Sequence, residues 1–417
     1  MRIWSRRVLS FGRRRKAGGD QRRLLDTPGG PLPAGYTPGE PVPGTVAVYF
    51  ADDPRKLYQL QQWLPVFELL DELHPVVIVT RNQATYAELA RLTGLRRVLA
   101  PAFPDLVGLF EASEVKVCLY VNNSVHNFHA LTQRRMLHVH VNHGESDKVC
   151  MVSNQVKAYD RVFVAGEAAV RRHRAALIEF DETKLVRVGR PQLDLRPEPL
   201  LAPSERPTIL YAPTWEGENA SNNYTSVDVF GPAIVAAALS VPGARVVYKP
   251  HPRVVISPLP AMAEAHRAIV RMLERQPGHE VLVGGDILGV FPAVDLMVTD
   301  VSSVGLDFLY LRGDAPVLIA DRHDDRARLH ANAPISRCAD VIDSATLAAL
   351  PGTLADRLAH DVHHAARQAA RATYFGDLAP GESTTRFLAA VDDAVATRDR
   401  SLGALESDPT TSEGVTA

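Results

Sequence analysis

The sequence predicts an α/β protein with two Rossmann-like parallel-sheet domains facing a central cleft, followed by C-terminal helices. Three observations carry this. Short β-branched runs alternate with helical patterns from Val46 onward, the signature of βαβ units. A proline-dense stretch without periodicity, Arg196–Pro207, interrupts the alternation, which then restarts. The segments richest in histidine, hydroxyls and charge fall at the carboxyl ends of predicted strands, where open α/β sheets bind ligands.

Residues 1–44 read as a basic, Pro/Gly-rich disordered tail and linker. The first 23 residues carry nine arginines and lysines against Asp20, with Trp4, Val8, Leu9 and Phe11 interleaved. Anionic lipid headgroups attract such a segment by about 1 kcal/mol per basic residue near the surface. A solvated tail and an RNA contact are the other readings. The apolar stretch here is short and broken by arginines, unlike a secretory signal. Residues 45–195 form the first predicted domain, with strands at 46–50, 75–80, 97–100, 115–121, 137–142, 161–164 and 185–188. Helical patterns lie over 60–73, 86–92 and 168–178. Residues 196–207 are the linker, with prolines at 197, 199, 203 and 207. The second domain spans 208–345, with strands predicted at 208–211, 244–248, 281–283, 296–298 and 316–320. Its helices are predicted over 232–239, 261–275 and 304–311. Residues 346–400 read as a helical segment, and 401–417, small and polar, as a disordered tail.

Composition removes several classes of function. A chain of 417 residues with 46% hydrophobic and 23% charged residues buries a sizeable core. A net charge of −2 gives no whole-protein case for nucleic acid. Cys118, Cys150 and Cys338 are odd in number and lack ligand spacing, which suits packed thiols in a reducing cytoplasm. No apolar run approaches the ~18 residues of a spanning helix, so a soluble or membrane-peripheral cytoplasmic protein is expected.

Four constellations carry chemistry. Leu296–Phe308 (LMVTDVSSVGLDF) reads as a buried strand ending at Asp300, then Ser302 and Ser303 opening a helix. Unpaired N–H groups and the positive dipole end at a helix start favour phosphate oxygens. An ordinary N-cap serine is the alternative. Val246–Arg253 (VVYKPHPR) places Lys249, His251 and Arg253 on a loop stiffened by Pro250 and Pro252, a basic group suited to a diphosphate. A solvated surface loop competes with that reading. His138–Lys148 (HVHVNHGESDK) puts His138 and His140 on one strand face and His143 just beyond the strand. A histidine there suits deprotonation of an alcohol, with the rate falling below a pH of about 6–7. The HxHxxH pattern also looks metal-like, but no acidic or Cys cluster follows it. In Ile209–Trp215 (ILYAPTW), Thr214 or the loop amides would face a donor.

These segments occur in the order HGxxxK, VGRPQLD, ILYAPTW, YKPHPR, TDVSSVGLDF and a late YFGD…PGESTTRF. Together they resemble the CDP-glycerol glycerophosphotransferases of wall teichoic acid and related polymer synthesis, over about residues 135–390. The resemblance implies the GT-B architecture and transfer of glycerol phosphate from CDP-glycerol to an acceptor hydroxyl, releasing CMP. It implies His143 as the base and Lys249, His251, Arg253, Asp300, Ser302 and Ser303 at the donor phosphates. Thr214, Asp307, Ser383, Thr384 and Arg386 are further candidate donor contacts. Val301 stands where the family has Tyr, and Glu145-Ser146-Asp147 replaces Thr-Pro-Leu, adding acidic charge beside the acceptor site. No cofactor and no metal are expected. The expected partners are CDP-glycerol or another nucleotide-diphosphate-linked donor, a polyol-phosphate or glycan acceptor, free or lipid-linked, and an anionic membrane surface for residues 1–23. A nucleotide-sugar glycosyltransferase, a ribitol phosphate transferase and a non-catalytic binding module remain open beside it.

Overall fold

A computed structural model describes residues 40–195 and 198–407. The basic segment 1–23 lies outside the described residues.

The first sheet has seven strands: β1 (Val46–Phe50), β2 (Val76–Thr80), β3 (Arg96–Leu99), β4 (Val117–Tyr120), β5 (Leu137–His140), β6 (Arg161–Val164) and β7 (Leu185–Arg187). Their spatial order is β3-β2-β1-β4-β5-β6-β7, and every pairing is parallel. The second has six: β8 (Thr208–Ala212), β9 (Arg245–Tyr248), β10 (Glu280–Val281), β11 (Leu296–Asp300), β12 (Val317–Ala320) and β13 (Asp340–Ile342). Their order is β10-β9-β8-β11-β12-β13, again all parallel. Helices cover both faces of such sheets, so the central strands are apolar on both sides. β1, β2, β8 and β11 are buried at every residue.

This topology determines where a ligand goes. In each sheet the connections run one way and then the other from the central strands, so β1 and β4, and β8 and β11, flank a switch point. Loops diverge there at the carboxyl ends and leave a crevice. The two Rossmann-like halves and their C-terminal helices make the GT-B-like architecture expected from the sequence.

Several elements differ from their predicted form. The helical pattern over 60–73 divides into Tyr58–Gln61 and Leu64–Asp71, because Pro65 opens the second piece and a proline suits the first turn rather than the interior. Helices at Phe103–Ala112 and Arg326–Asn332, and strand β13, add to those predicted. The predicted helical segment separates into Leu350–Ala359, His364–Phe375 and Glu382–Ser407. The last helix continues through residues 401–407, where a disordered tail was expected. Cys118 and Cys338 are buried as expected, but Cys150 is exposed. No described helix is long and apolar enough to cross a membrane.

The last helix returns to the first domain. Its Phe387, Val391, Ala394 and Val395 join Trp63, Phe67, Leu119 and Phe163 in one buried cluster. Lys116 reaches Asp399 at 2.5 Å and His74 reaches Asp392 at 3.0 Å along the same contact.

Candidate active site

The loop after β5 carries His143. Asn142 takes a positive φ of 53°, a region that asparagine tolerates better than most residues. Its side-chain oxygen accepts the His143 N–H at 2.8 Å, and its carbonyl accepts from Trp63 Nε1 at 2.5 Å. The turn is thereby fixed from both sides. His143 Nδ1 is buried without a hydrogen-bond partner. Burial, reinforced by the positive Arg190, pushes the His143 imidazole down to about 4. It is therefore neutral and able to accept a proton over the whole physiological range, not only above pH 6–7.

The loop after β9 carries His251. Its Nδ1 accepts the Arg253 N–H at 3.2 Å, so the imidazole proton is on Nε2, which is left to donate. Its ring stacks on Trp215 with centroids 6.1 Å apart, and the Arg253 guanidinium lies over the same indole at 4.2 Å. Burial, with Lys148 and Arg253 nearby, lowers His251 to about 3. Lys249 does not join this group through its head. Its Nζ donates to the Gly284 carbonyl at 2.8 Å, and burial lowers its basicity.

Tyr58 joins the two loops. Its ring meets His143 and His251 edge-on, at 6.0 and 5.9 Å between centroids. Sequence reasoning missed this residue, which lies on a short helix after β1, outside every motif.

The second domain supplies the floor of the cleft. Asp300, at the end of β11, accepts the Thr214 N–H at 2.8 Å and the Ser226 N–H at 3.1 Å. Burial raises its carboxyl to about 7. Asp300 thus holds the loop after β8. Thr214 Oγ1 in turn accepts from Lys148 Nζ at 2.9 Å, a bond between the two domains. Ser302 is the N-cap of the helix Ser303–Leu311, yet its side chain makes no cap hydrogen bond. Ser303 faces the first domain. A Cβ placed on Gly144 would lie 3.3 Å from Ser303 Cβ and 3.6 Å from its Oγ. The HG pair and the helix start therefore lie close together, and a side chain on Gly144 would crowd Ser303.

Other candidates are engaged within the protein. Asp307 pairs with Arg190 at 3.1 Å. Ser383 Oγ accepts the Arg190 N–H at 3.0 Å, Thr384 bonds Asp194 through N–H and hydroxyl at 2.7 and 2.9 Å, and Arg386 forms an exposed pair with Glu382. The Ser383 and Thr384 contacts fasten the last helix to the first domain. Glu145 and Asp147 add no free acidity beside His143, since both pair with Arg172 and Asp147 also accepts from Tyr374. His138 bonds Tyr120 at 2.8 Å and His140 stacks on Tyr159. No group of three or more His, Cys, Asp or Glu side chains among the described residues is arranged to hold a metal ion.

Comparison with known proteins bears on the fold and the family. The sequence matches no curated protein. Several solved structures share the fold. The wall teichoic acid polymerase TagF superposes with a TM-score of 0.57 at 12% identity, covering 86% of this chain and 90% of its own. A structure described as a putative UDP-N-acetylglucosamine 2-epimerase from Listeria monocytogenes gives 0.57 at 16% identity, with 83% and 95% covered. A glycosyltransferase from Rickettsia africae gives 0.50 at 12%, with 84% and 98% covered. At these identities the likeness speaks for the fold. The sequence family of CDP-glycerol:poly(glycerophosphate) glycerophosphotransferases matches residues 52–325. That span contains the loops of His143 and His251, Tyr58 between them and the helix start at Ser303, and by that match the chain belongs to this family.

Proposed function

We propose that this protein transfers glycerol phosphate from CDP-glycerol to a hydroxyl of a cell-wall polymer or its primer, with His143 as base. The observation that carries the assignment of roles is the meeting of the two histidine loops on either side of Tyr58. In the proposed step, Nδ1 of His143 takes the proton of the acceptor hydroxyl. The oxygen attacks the β-phosphorus, the bond to the bridging oxygen breaks, and CMP leaves with that electron pair. Charge develops on the diphosphate, where His251 Nε2–H, Arg253 and the free N–H groups at Ser303 donate. Preorganised donors of this kind are worth roughly 3–4 kcal/mol each. Lys249, Thr214 and Asp300 shape the loops that present them.

The site works at the cytoplasmic face of a membrane in this reading, with residues 1–23 drawn to anionic headgroups and the acceptor carried on lipid. Deleting residues 1–40, which end before β1, should leave the fold intact and weaken sedimentation with anionic vesicles. Equal sedimentation of both forms would return the segment to a solvated tail.

The test of function is a donor screen with CDP-glycerol, CDP-ribitol and UDP-sugars, reading CMP, UMP and UDP. CMP release with CDP-glycerol is expected. Turnover of a UDP-sugar instead would make the protein a glycosyltransferase of the same fold, and no turnover of any donor would make it a binding module.

A further inference from the structure

One buried charge at the domain junction has donors to spare. Arg190 follows Gly189, whose φ of +76° and close approach to Ser383 require a glycine. The Arg190 residue is 6% exposed. Its Nη2 lies 3.1 Å from Asp307 Oδ1 in the helix that Ser303 opens. That contact is an ion pair without hydrogen-bond alignment, since Asp307 Oδ1 has no hydrogen-bond partner. Arg190 Nε and Nη1 are also buried and unpartnered.

A guanidinium is always protonated and presents five donors in a fixed fork. Burying two of its nitrogens dry is costly unless a ligand completes them. Their surroundings point to an anion. Nη1 is 3.4 Å, and Ser303 Oγ 3.6 Å, from the point a Gly144 Cβ would occupy. Beside that point stand the uncapped start of the Ser303 helix and the loop of His143. Asp307 is placed against Nη2 and leaves Nε and Nη1 without an acceptor.

We propose that Arg190 binds a phosphate oxygen beside Gly144, with the phosphoryl group in transfer as the expected source. Arg190 then donates from Nη1 to a non-bridging oxygen of that group. It takes no proton and forms no covalent bond: the acceptor proton still goes to His143, and the electron pair still leaves with CMP. The same contact to a phosphodiester of the acceptor is the other source. This inference rests on the CDP-glycerol reading above.

The experiment separates binding from structure. Arg190→Gln combined with Asp307→Asn replaces the buried ion pair by a neutral one. It should melt within a few degrees of wild type, yet lose about 10²-fold or more in kcat/KM. Calorimetric titration with CDP-glycerol and the acceptor KM at saturating donor identify the source. Weakened donor binding assigns the transferred phosphoryl, and a raised acceptor KM alone assigns the acceptor. A folded double variant within about threefold of wild type in all three quantities overturns the proposal. Should the double variant fail to fold, Arg190→Lys decides, because it keeps the charge and loses the fork. A loss of about tenfold or more at unchanged melting temperature supports the inference, and wild-type kinetics overturn it. If the wild-type protein itself neither binds nor turns over CDP-glycerol, the functional reading fails first, independently of Arg190.

Discussion

A histidine held near 4 in the free protein is a weak base, and that value gives His143 a distinctive kinetic signature. Burial comes first among its causes and the charge of Arg190 second. A bound diphosphate brings negative charge next to the ring, which favours the imidazolium. The acid limb of kcat/KM, which reports the free enzyme, should therefore lie near pH 4. The acid limb of kcat, which reports the complex, should lie at higher pH. A pH–rate series measures both, and coincident limbs would remove His143 as the titrating base. His143→Ala should lower kcat by ~10²–10⁴-fold while calorimetry with CDP-glycerol shows nearly unchanged affinity. His251→Ala should lose affinity as well. The positions of His143, His251 and Ser303 were legible from sequence because each sits where a strand gives way to a loop or helix start, near Gly or Pro. Tyr58 and Arg190 were not, since their significance arises only when distant loops approach. Residue type alone did not show that Lys249 and Asp300 bind backbone groups of their own domain.

Strands were the most legible elements, because burial on both faces leaves short β-branched runs that few helices imitate. The last helix was legible as a helix, but its docking on the first domain was not. Its mean pattern is polar, with Asp, Thr and Arg on the exposed side, and the apolar residues that matter are few. They matter nonetheless. Phe387 is fully buried, and its ring lies 5.2 Å from Trp63 and 6.0 Å from Phe163 between centroids. Phe387→Ala leaves a cavity under the first sheet and should cost ~3–5 kcal/mol, read as a lower urea midpoint. An unchanged midpoint would mean the helix contributes little to the first domain. The nearby pair Arg386–Glu382 should contribute far less, because water screens both exposed charges.

Taken as one body, the molecule carries several histidines whose burial disfavours the charged form. His140 and His251 are lowered to about 3, and His129 and His143 to about 4. His138, His173, His266 and His279 are lowered in the same sense. Between the lowered values and the ordinary ~6.5 the unfolded chain binds more protons at these rings than the folded one. Stability from these groups is complete above about pH 6.5 and is lost as the pH falls toward 4. Asp147 and Asp300, raised to about 7, and Asp307, raised to about 6, act oppositely and favour the fold at lower pH. The histidines outnumber them, so the balance lies with the rings. The thermal midpoint should drop between about pH 7 and pH 5, and a rise across that interval would put the balance with Asp147, Asp300 and Asp307 instead.

The return of the last helix has a consequence of another kind. A ribosome delivers β1 to β7 long before it delivers Phe387, Val391 and Val395. Until those residues emerge, the half-made sheet presents Trp63, Phe67 and Phe163 to solvent without their cover. The first domain is completed only after the second has been made. A chain cut short before Phe387 should therefore be less soluble than the full one, and equal solubility of the two would show that the first domain closes without the helix.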